Sequence, residues 1–540
     1  NMFMQKYVMN GETVKDRYTK IAETAGSYAK KMYGNHFEWE TLFFQFIWKG
    51  WLSPSTPVLI NLGEPERGTP VSCTGNYVDD SIHGFYDARL SNAVLGKAGF
   101  GLSSYLSDIR PRGAKISVGG AASGVLPVIK GMIQDARDVS QGNHRRGAWA
   151  GYLDIEHGDF WEVAEYLYNN PDDFNLGWNI RDSFIESLDA GDPEAIARYQ
   201  KVMKIRAVTG KGYMHFVDKV NRQNPDMYKD RGLSIKGSNL CAEIALHSDE
   251  DHAFSCVLSS LNLAAYNDWK DTDLIFFATI FLDCVAEAFL DIAKSVPGME
   301  KVAAFTEKSR ALGLGVLGFH TYLQQERIPF ESLQANTFNH LVFREISEKA
   351  KDASMWMARI AGEPEWCKGY GVRNTHLMAI APTLSTALIC GSVSQGIEPL
   401  LANVWSQNTA AGNVMRVNPT LIDIMEERGV YNESTIAELA DNGGTVQDVD
   451  WLDDHEKLVF RTAFEISQEA VVRMADNRAQ YIDQGQSVNL FFSADEDEAH
   501  VSAIHKQAMK SPYLKSLYYM RSRAGVASSN GKSECVACEG

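Results

Sequence analysis

The chain has 540 residues, of which 45% are hydrophobic and 22% are charged, and its formal net charge is -17. This composition is typical of a folded globular protein, and the acidic balance disfavours non-specific binding to nucleic acid polymers or anionic membranes. Eight cysteines are too few for a disulfide scaffold. In a reducing compartment a cysteine pair is therefore expected to be catalytic or metal-binding.

Residues 1–70 are predicted to form a helical region, because apolar and aromatic residues recur at helical spacing in FEWETLFFQFIWKGWL. The first residues lack the basic and apolar regions of a secretory signal. The most apolar segment, LIFFATIFL at 274–282, is too short and too closely followed by acidic residues to cross a bilayer. We predict a buried helix there, and a cytoplasmic protein without membrane contact.

From residue 71 to 520, short apolar stretches such as KISV and HLMAIAP alternate with long helical patterns. This alternation predicts an α/β fold with mostly parallel strands, and the length fits one large barrel. GLGVLG at 313–318 matches a dinucleotide-binding string, but a helical pattern precedes it, so a tightly packed barrel strand is predicted instead. Residues 521–540 are small and polar and predict a flexible tail.

The stretch SNLCAEIAL at 238–246 places Asn239, Cys241 and Glu243 at alternate positions. A buried cysteine alone is ordinary core, but a carboxylate is rarely buried without a partner. In an extended segment the three side chains point to the same side. The pattern therefore indicates a site in which an amide, a thiol and a carboxylate meet.

Two cysteines and two tyrosines near the C-terminus form further candidate motifs. CVAC at 535–538 is interpreted as a redox dithiol, since a structural zinc site needs a second pair of ligands. The adjacent Tyr518 and Tyr519 are either packing aromatics or redox-capable phenols.

Several loops carry groups that bind anions. PTLSTALICG at 382–391 and SPSTP at 53–57 offer hydroxyls that serve either as ordinary helix caps or as an anion site. GNHRRGAW at 142–149 and RPRG at 110–113 are basic loops, which are either solvated or phosphate-binding.

Together these motifs closely resemble the large, catalytic subunit of class I ribonucleotide reductase, from about residue 50 to the end. The resemblance is carried by STPVLINLG, SCTGNYVDDSIHGFYD, GNHRRGAWAGYLD, SNLCAEIAL, CVLSSLNLA, PTLSTA, LKSLYYMRSR and the terminal cysteine pair. It implies a ten-stranded α/β barrel built from two antiparallel halves, with Cys241 at the tip of a central finger loop.

The resemblance also implies roles for five residues. Cys241 becomes a thiyl radical that takes hydrogen from the 3′ carbon of a ribonucleotide, Glu243 deprotonates the 3′-hydroxyl, and Asn239 holds the ribose. Cys73 protonates the leaving 2′-hydroxyl. Cys256 then joins Cys73 in supplying electrons, and the two close a disulfide.

The implied partners follow from the C-terminal motifs. Cys535 and Cys538 reduce the disulfide by thiol exchange and are themselves reduced by a thioredoxin-like or glutaredoxin-like protein. Tyr518 and Tyr519 relay a radical from a small subunit that holds the radical cofactor at its own metal centre. The resemblance implies no metal site and no directly bound cofactor in this chain.

Two sets of nucleotide contacts are implied, one for the ribonucleotide substrate and one for a dNTP or ATP effector at the interface of a homodimer. The substrate set is Thr56, Ser72, Ala98, Gly99, Thr383, Leu384, Ser385 and Thr386. The effector set is Asp80, Ser81, Lys97, Arg110, Arg145 and Arg146.

One departure from the family pattern concerns regulation. Many relatives carry an N-terminal ATP-binding cone, and too little chain lies before residue 50 to hold one, so on/off control by dATP at such a domain is expected to be absent. Two alternatives stay open: a cobalamin-dependent reductase, against which Tyr518 and Tyr519 argue, and a non-catalytic nucleotide-binding homologue.

Overall fold

A computed structural model describes residues 2–9, 11–71, 73–139, 148–409 and 412–522. The strands are β1 (Leu52–Pro54), β2 (Cys73–Tyr77), β3 (Gly101–Tyr105), β4 (Trp149–Asp154), β5 (Asn175–Asn179), β6 (Tyr213–His215), β7 (Phe254–Asn262), β8 (Leu312–Leu317), β9 (Val404–Thr409), β10 (Gly412–Val417), β11 (Leu490–Phe492), β12 (Ser516–Leu517) and β13 (Met520–Ser522).

The helices surround these strands and connect them. They are α1 (Met2–Lys6), α2 (Val14–Tyr33), α3 (Trp39–Trp48), α4 (Thr56–Asn61), α5 (Ile82–Lys97), α6 (Val125–Asp138), α7 (Phe160–Asn169), α8 (Asp182–Asp189), α9 (Pro193–Thr209), α10 (Val217–Arg222), α11 (Asp226–Arg231), α12 (Tyr266–Trp269), α13 (Leu274–Ala293), α14 (Glu300–Ser309), α15 (Phe319–Gln325), α16 (Leu333–Ala361), α17 (Leu384–Ile389), α18 (Pro419–Glu427), α19 (Glu433–Asp441), α20 (Asp454–Val459), α21 (Gln468–Ala479) and α22 (Glu498–Lys510).

The first half of the barrel consists of five parallel strands, β2 to β6, which neighbour one another in chain order. Helices connect successive strands, as parallel pairing requires. At the two edges of this half the direction reverses: β7 pairs antiparallel with β2, and β12 pairs antiparallel with β6.

The second half continues from β7 and closes the barrel. β8 is parallel to β7, and isolated parallel bridges join Leu314 to Met378 and Ile380 to Gln486. The segment through Gln486 leads into β11, which is parallel to β13. β12 and β13 together form the tenth position, so the predicted ten-stranded barrel of two antiparallel halves is confirmed.

The predicted helical N-terminal region is also confirmed, with one exception. α2 begins at a capping box in which Thr13 and Asp16 satisfy each other's backbone N–H groups, and α2 packs on α3. The exception is β1, which pairs antiparallel with β7 and is fully buried. Three residues are too short for their alternation to be recognised within a helical pattern.

Two further predictions about local structure hold. The apolar segment at 274–282 lies in the buried helix α13, and GLGVLG forms strand β8. A Cβ atom on Gly313 would lie 2.4 Å from Leu258 and 2.9 Å from the Cys256 sulfur, and one on Gly315 would lie 2.5 Å from the Ala379 carbonyl oxygen. These glycines permit close strand packing rather than phosphate binding.

Among the residues that the structure describes, no helix has both the length and the apolar content needed to cross a membrane.

Candidate active site

The segment 238–246 passes through the barrel as a loop without regular secondary structure, and its residues are buried. Strands from both halves hold its backbone. The donors to its carbonyl oxygens are the Tyr152 hydroxyl to Asn239 (2.6 Å), the Ser487 hydroxyl to Cys241 (2.7 Å), the Ser516 hydroxyl to Ala242 (2.8 Å) and the Gly485 N–H to Glu243 (2.8 Å). The loop is therefore a finger whose shape depends on the whole barrel.

The tip of this finger is a turn and not an extended strand. The Ala242 N–H donates to the Asn239 carbonyl (3.3 Å), and Ala242 has a φ of 64°, a left-handed conformation that costs a non-glycine residue about 1–2 kcal/mol. The Asn239 Oδ1 accepts the N–H groups of Glu243 (3.0 Å) and Ile244 (3.2 Å). The expectation that alternate positions align the three side chains is wrong, because the turn sets their directions.

Glu243 is a buried carboxylate that is hydrogen-bonded rather than ion-paired. The Ser487 hydroxyl donates to its Oε2 (3.2 Å), and no ion pair to Glu243 occurs among the described residues. Burial raises its pKa to about 7, while hydrogen bonds from Asn239, its own backbone and Ser487 oppose the rise. A carboxyl group with this pKa exchanges a proton readily near neutral pH.

Cys73 and Cys256 lie directly opposite each other on the antiparallel strands β2 and β7. They are 183 positions apart in sequence, so only the barrel brings them together. The Asn239 amide donates to the Cys73 sulfur (3.3 Å), and the Gln484 amide donates to the Cys256 sulfur (3.4 Å). Burial raises the pKa of the Cys256 thiol well above its usual value, which keeps that sulfur protonated.

Tyr518 and Tyr519 lie between β12 and β13, where the strand is interrupted. Their ring centroids are 4.1 Å apart at an interplanar angle of 45°. Tyr213 packs against both rings, and its hydroxyl donates to the Tyr519 hydroxyl (3.3 Å). The three tyrosines and Cys241 belong to one packed apolar cluster, which also contains Tyr152.

Thr56 and Ser385, two residues of the expected substrate set, are linked by the N-terminal segment. The Lys6 ammonium donates to the Ser385 hydroxyl (3.1 Å), and the Tyr7 hydroxyl lies 3.3 Å from that of Thr56. Because Lys6 and Tyr7 are adjacent, the two hydroxyls belong to one locality. Thr383, beside Ser385, has a φ of 59°.

The remaining substrate residues of the prediction fall at two places. Leu384 and Thr386 lie in α17 with Ser385. Ala98 and Gly99 follow α5 and precede β3, and Gly99 has a φ of 97°. Ser72 lies outside the described residues.

The expected effector residues are only partly brought together within one chain. Arg110 forms an ion pair with Asp80 (2.6 Å), and the Ser81 side chain caps the start of α5. Lys97 ends the same 16-residue helix, about 24 Å away. Arg145 and Arg146 lie outside the described residues, as do Cys535 and Cys538 of the tail.

Sequence reasoning missed several residues that contact the expected site, among them Tyr152 and Ser516, which donate to the finger backbone. Five others make contacts through their side chains. They are Lys6, Tyr7, Tyr213, Gln484 and Ser487. The run QGQS at 484–487, ahead of an apolar strand, is a weak signal that polar groups enter the core. Lys6, Tyr7 and Tyr213 carry no comparable signal, because ordinary surface or packing residues look the same.

Comparisons with known proteins identify the family of this chain. The chain matches the family described as ribonucleotide reductase, barrel domain, over residues 71–198, 193–367 and 364–520. It is 34% identical to the putative ribonucleoside-diphosphate reductase large subunit of Frog virus 3, over 95% of each protein. The Caenorhabditis elegans large subunit is 27% identical, over 88% of this chain and 70% of the relative.

A solved structure is similar over almost the whole length. The class Id ribonucleotide reductase alpha subunit of Actinobacillus ureae has a TM-score of 0.90 and 37% sequence identity, and the match covers 98% of this chain and 97% of that one. The family match and these similarities show that the chain belongs to the ribonucleotide reductase large-subunit family.

Proposed function

We propose that this chain reduces ribonucleoside diphosphates to 2′-deoxyribonucleotides, with Cys241 as the radical thiol. The observation that carries the proposal is that Cys241 lies on a buried finger whose Asn239 donates a hydrogen bond to Cys73, which in turn lies opposite Cys256. The names of the relatives, ribonucleoside-diphosphate reductase large subunits, support the diphosphate as substrate.

The chemistry balances with three thiols and one carboxylate. The Cys241 thiyl radical takes the 3′ hydrogen, Glu243 accepts the 3′-hydroxyl proton, and Cys73 supplies the proton with which the 2′-hydroxyl leaves as water. Cys256 then gives a hydrogen atom to the 2′ carbon, and its sulfur joins the Cys73 sulfur as a disulfide radical anion. That anion passes one electron to the 3′ carbonyl while Glu243 returns its proton to the 3′ oxygen, which leaves Cys73 and Cys256 as a disulfide. The Cys241 thiol returns the 3′ hydrogen to the sugar and is again a thiyl radical. In sum, two thiols and one carbon–hydroxyl bond become one disulfide, one carbon–hydrogen bond and water.

Glu243 suits the role of the base for a physical reason. Its pKa of about 7 allows the carboxylate to take a proton and release it again near neutral pH. The Ser487 hydroxyl and the turn at Asn239 hold the group in place, which reduces the reorganisation required when a substrate binds.

The substrate phosphates bind around Thr56 and Ser385 in this proposal, and Lys6 supplies a positive charge there. Lys6 already contacts the Ser385 hydroxyl, and Tyr7 contacts Thr56. An ammonium group beside two hydroxyls suits a phosphate, because hydrogen bonds between charged groups are roughly twice as strong as neutral ones. The N-terminal segment thus contributes to substrate binding.

Radical delivery from a small subunit is supported by the tyrosine cluster. The rings of Tyr518, Tyr519 and Tyr213 are in mutual contact and pack in the same cluster as Cys241. A cobalamin-dependent enzyme forms its radical in place and needs no such relay. The similarity to a class Id alpha subunit also favours class I, with the radical cofactor at the metal centre of the small subunit.

A homodimer that binds an effector at its interface is supported by α5. Ile82, Tyr86 and Leu90 form an apolar stripe on this helix and are 69%, 63% and 63% exposed. If two copies pack these stripes antiparallel, Lys97 of one copy approaches Ser81 of the other. A groove of about 700 Å³ lies beside Ser81, large enough for a dNTP or ATP effector.

The tail cysteines complete the cycle in this proposal. Cys535 and Cys538 reduce the Cys73–Cys256 disulfide by thiol exchange, become a disulfide themselves, and receive electrons again from a thioredoxin-like or glutaredoxin-like protein. A protein reductant is too large to enter the barrel, so the proposal assigns the transfer of electrons into the barrel to the Cys535 and Cys538 pair.

The decisive experiment replaces the sulfur of Cys241. Cys241→Ser, assayed with a competent small subunit, should form no deoxynucleotide while still binding the ribonucleotide. The matched control is Cys284→Ser, a buried cysteine of α13, which should remain active. Deoxynucleotide formation by Cys241→Ser would refute the proposal, and so would an inactive parent chain in the presence of every candidate small subunit.

A further inference from the structure

Three potential metal ligands lie on the loop between the finger and β7. They are His247, Asp249 and His252, in the sequence HSDEDH. The His247 Nε2 lies 2.8 Å from one Asp249 carboxylate oxygen, and the His252 Nδ1 lies 2.8 Å from the other. One donor atom from each residue falls within 4.8 Å of the others. Both histidines are buried, and the Asp249 side chain is 36% exposed.

The two ring nitrogens of His247 both face acceptors. Its Nδ1 lies 2.7 Å from the Ser234 carbonyl oxygen, and its Nε2 faces Asp249. A neutral imidazole carries one N–H, so it satisfies only one of these contacts. In the tautomer with the N–H on Nδ1, that nitrogen donates to the Ser234 carbonyl and the Nε2 lone pair points toward Asp249. Metal-binding histidines have this arrangement, in which a carbonyl holds the other ring nitrogen.

We propose that the His247 Nε2, one Asp249 carboxylate oxygen and the His252 Nδ1 bind a zinc ion. Two imidazoles and one carboxylate suit zinc or a similar transition metal, whereas calcium and magnesium prefer oxygen ligands alone. Tetrahedral bonds of about 2.1 Å separate ligands by about 3.4 Å, so the 2.8 Å contact between the binding Asp249 oxygen and the histidine that faces it opens by about 0.6 Å. Water takes the fourth position on the exposed side of Asp249.

The surroundings already fix the two imidazoles. The Trp366 ring contacts His247 with centroids 5.9 Å apart and His252 with centroids 5.1 Å apart. Two backbone N–H groups, those of Asp251 and His252, donate to Asp249. The ligands are therefore arranged before an ion enters, which lowers the entropic cost of binding it.

The position of the site determines its role. The loop joins the finger, which carries Cys241, to the strand that carries Cys256. Its residues Glu250 and Asp251 also line the groove beside Ser81. An ion bound here fixes the loop between the reacting thiols and this groove. The role is structural, and no chemical step passes through the metal.

Metal binding by the full chain tests the proposal without any nucleotide. The chain is stripped with a chelator, kept reduced, and titrated with zinc against a chromophoric competitor, in parallel with cobalt. His247→Ala and His252→Ala should each weaken zinc binding at this site by at least about tenfold. In the cobalt titration, the same two variants should lose the absorption band of the bound ion. That band should come without a thiolate-to-cobalt charge-transfer band, because no cysteine is a ligand. His36→Ala, an exposed histidine, should leave both readouts unchanged.

The cysteines are the competing source of metal binding. The double variant Cys535→Ser with Cys538→Ser should keep the histidine-dependent zinc. A parent chain that binds no zinc would overturn the proposal. The same holds if the parent binds only zinc that survives His247→Ala and disappears with the tail cysteines. Circular dichroism of each histidine variant checks that the chain remains folded, and His252→Asn, which keeps the polar shape, should also lose the ion.

Discussion

Two buried carboxylates, Asp283 and Glu243, have opposite environments. Asp283, on α13, is fully buried and accepts hydrogen bonds from Arg310 at 2.8 Å and from Arg373 at 3.1 Å. Tyr33 of α2 also donates to it. Glu243, on the finger, is as deeply buried but receives hydrogen bonds only from neutral groups among the described residues.

The pKa values follow from this difference. The two arginines hold the pKa of Asp283 well below its usual value in spite of burial, whereas burial raises the pKa of Glu243 to about 7. Asp283 is permanently charged, and it ties the N-terminal helices to the barrel. Glu243 can change its protonation state. A buried carboxylate with positive partners, such as Asp283, stabilises the structure. A buried carboxylate without them, such as Glu243, acts in catalysis in our proposal.

Removing the charge of Asp283 should have the largest effect on stability. Asp283→Asn removes the counter-charge of the buried Arg373 and leaves Arg310 with Glu287 alone, so the free energy of unfolding should fall by about 3–5 kcal/mol. Because the native pKa lies below the ordinary 3.8, the stabilisation is present above that pH and is lost as the pH falls. Denaturant unfolding of the parent and of Asp283→Asn between pH 7 and pH 3 measures the difference in their free energies of unfolding.

A control on the same helix sharpens this result. Asp291→Asn removes a carboxylate that is 50% exposed and whose contact with Lys31 is long, at 3.9 Å. The free energy of unfolding should therefore fall by less than about 1 kcal/mol. If the two variants lose equal stability, the buried network does not hold the structure together.

Removing the charge of Glu243 should have the opposite effect on stability. The native pKa of about 7 against an ordinary 4.5 means that the carboxylate destabilises the fold by up to about 3 kcal/mol above pH 7. Glu243→Gln should therefore be more stable than the parent by about that amount at pH 8 and equal to it below pH 4.5. Exposed Glu23→Gln should show no such dependence.

The pH dependence of activity tests the same carboxylate. If Glu243 is the base, kcat/KM of the parent should rise with pH through a midpoint near 7, because the carboxylate must be ionised to accept the proton. Glu243→Gln should be stable but nearly inactive, without this midpoint. An active Glu243→Gln variant would show that the carboxylate with the raised pKa is not the base.

Lys6 extends the comparison to a positive charge, which donates to the Ser385 hydroxyl at 3.1 Å. Lys6→Met should lower kcat/KM for the ribonucleotide about 30-fold, because one charge-assisted hydrogen bond to phosphate is lost. This corresponds to about 2 kcal/mol of binding free energy. The effect should be mainly on KM, with stability nearly unchanged. Exposed Lys15→Met is the control, and equal KM values for Lys6→Met and the parent would contradict the assignment.

The smallest predicted effect concerns a neutral hydrogen bond. Tyr213→Phe removes the hydroxyl that donates to Tyr519 and should lower turnover with the small subunit by about fivefold, equivalent to about 1 kcal/mol. The control Tyr199→Phe removes a hydroxyl that is hydrogen-bonded to Ser502. It should lose a similar amount of stability but keep the turnover of the parent. Equal turnover in the two variants would make Tyr213 a packing residue.

Much of the fold could be predicted from local patterns. Apolar periodicity identified the buried helix α13, and the helix pattern before GLGVLG excluded a dinucleotide loop. The composition of SNLCAEIAL marked Asn239, Cys241 and Glu243 as a site, because polar groups rarely occur in an apolar run without a purpose. These inferences need only neighbouring residues, and backbone geometry constrains neighbours strongly.

The tertiary structure alone decided which distant groups meet. Cys73 faces Cys256 because β2 and β7 pair antiparallel at that register, and a shift of one residue would turn one thiol to the other face. Asp283 and Glu243 look alike in sequence, and only packing brings Arg310 to the first and neutral groups to the second. The sequence determined the chemical groups and the local elements. The barrel determined their distances, burial and protonation, because these depend on segments hundreds of residues apart.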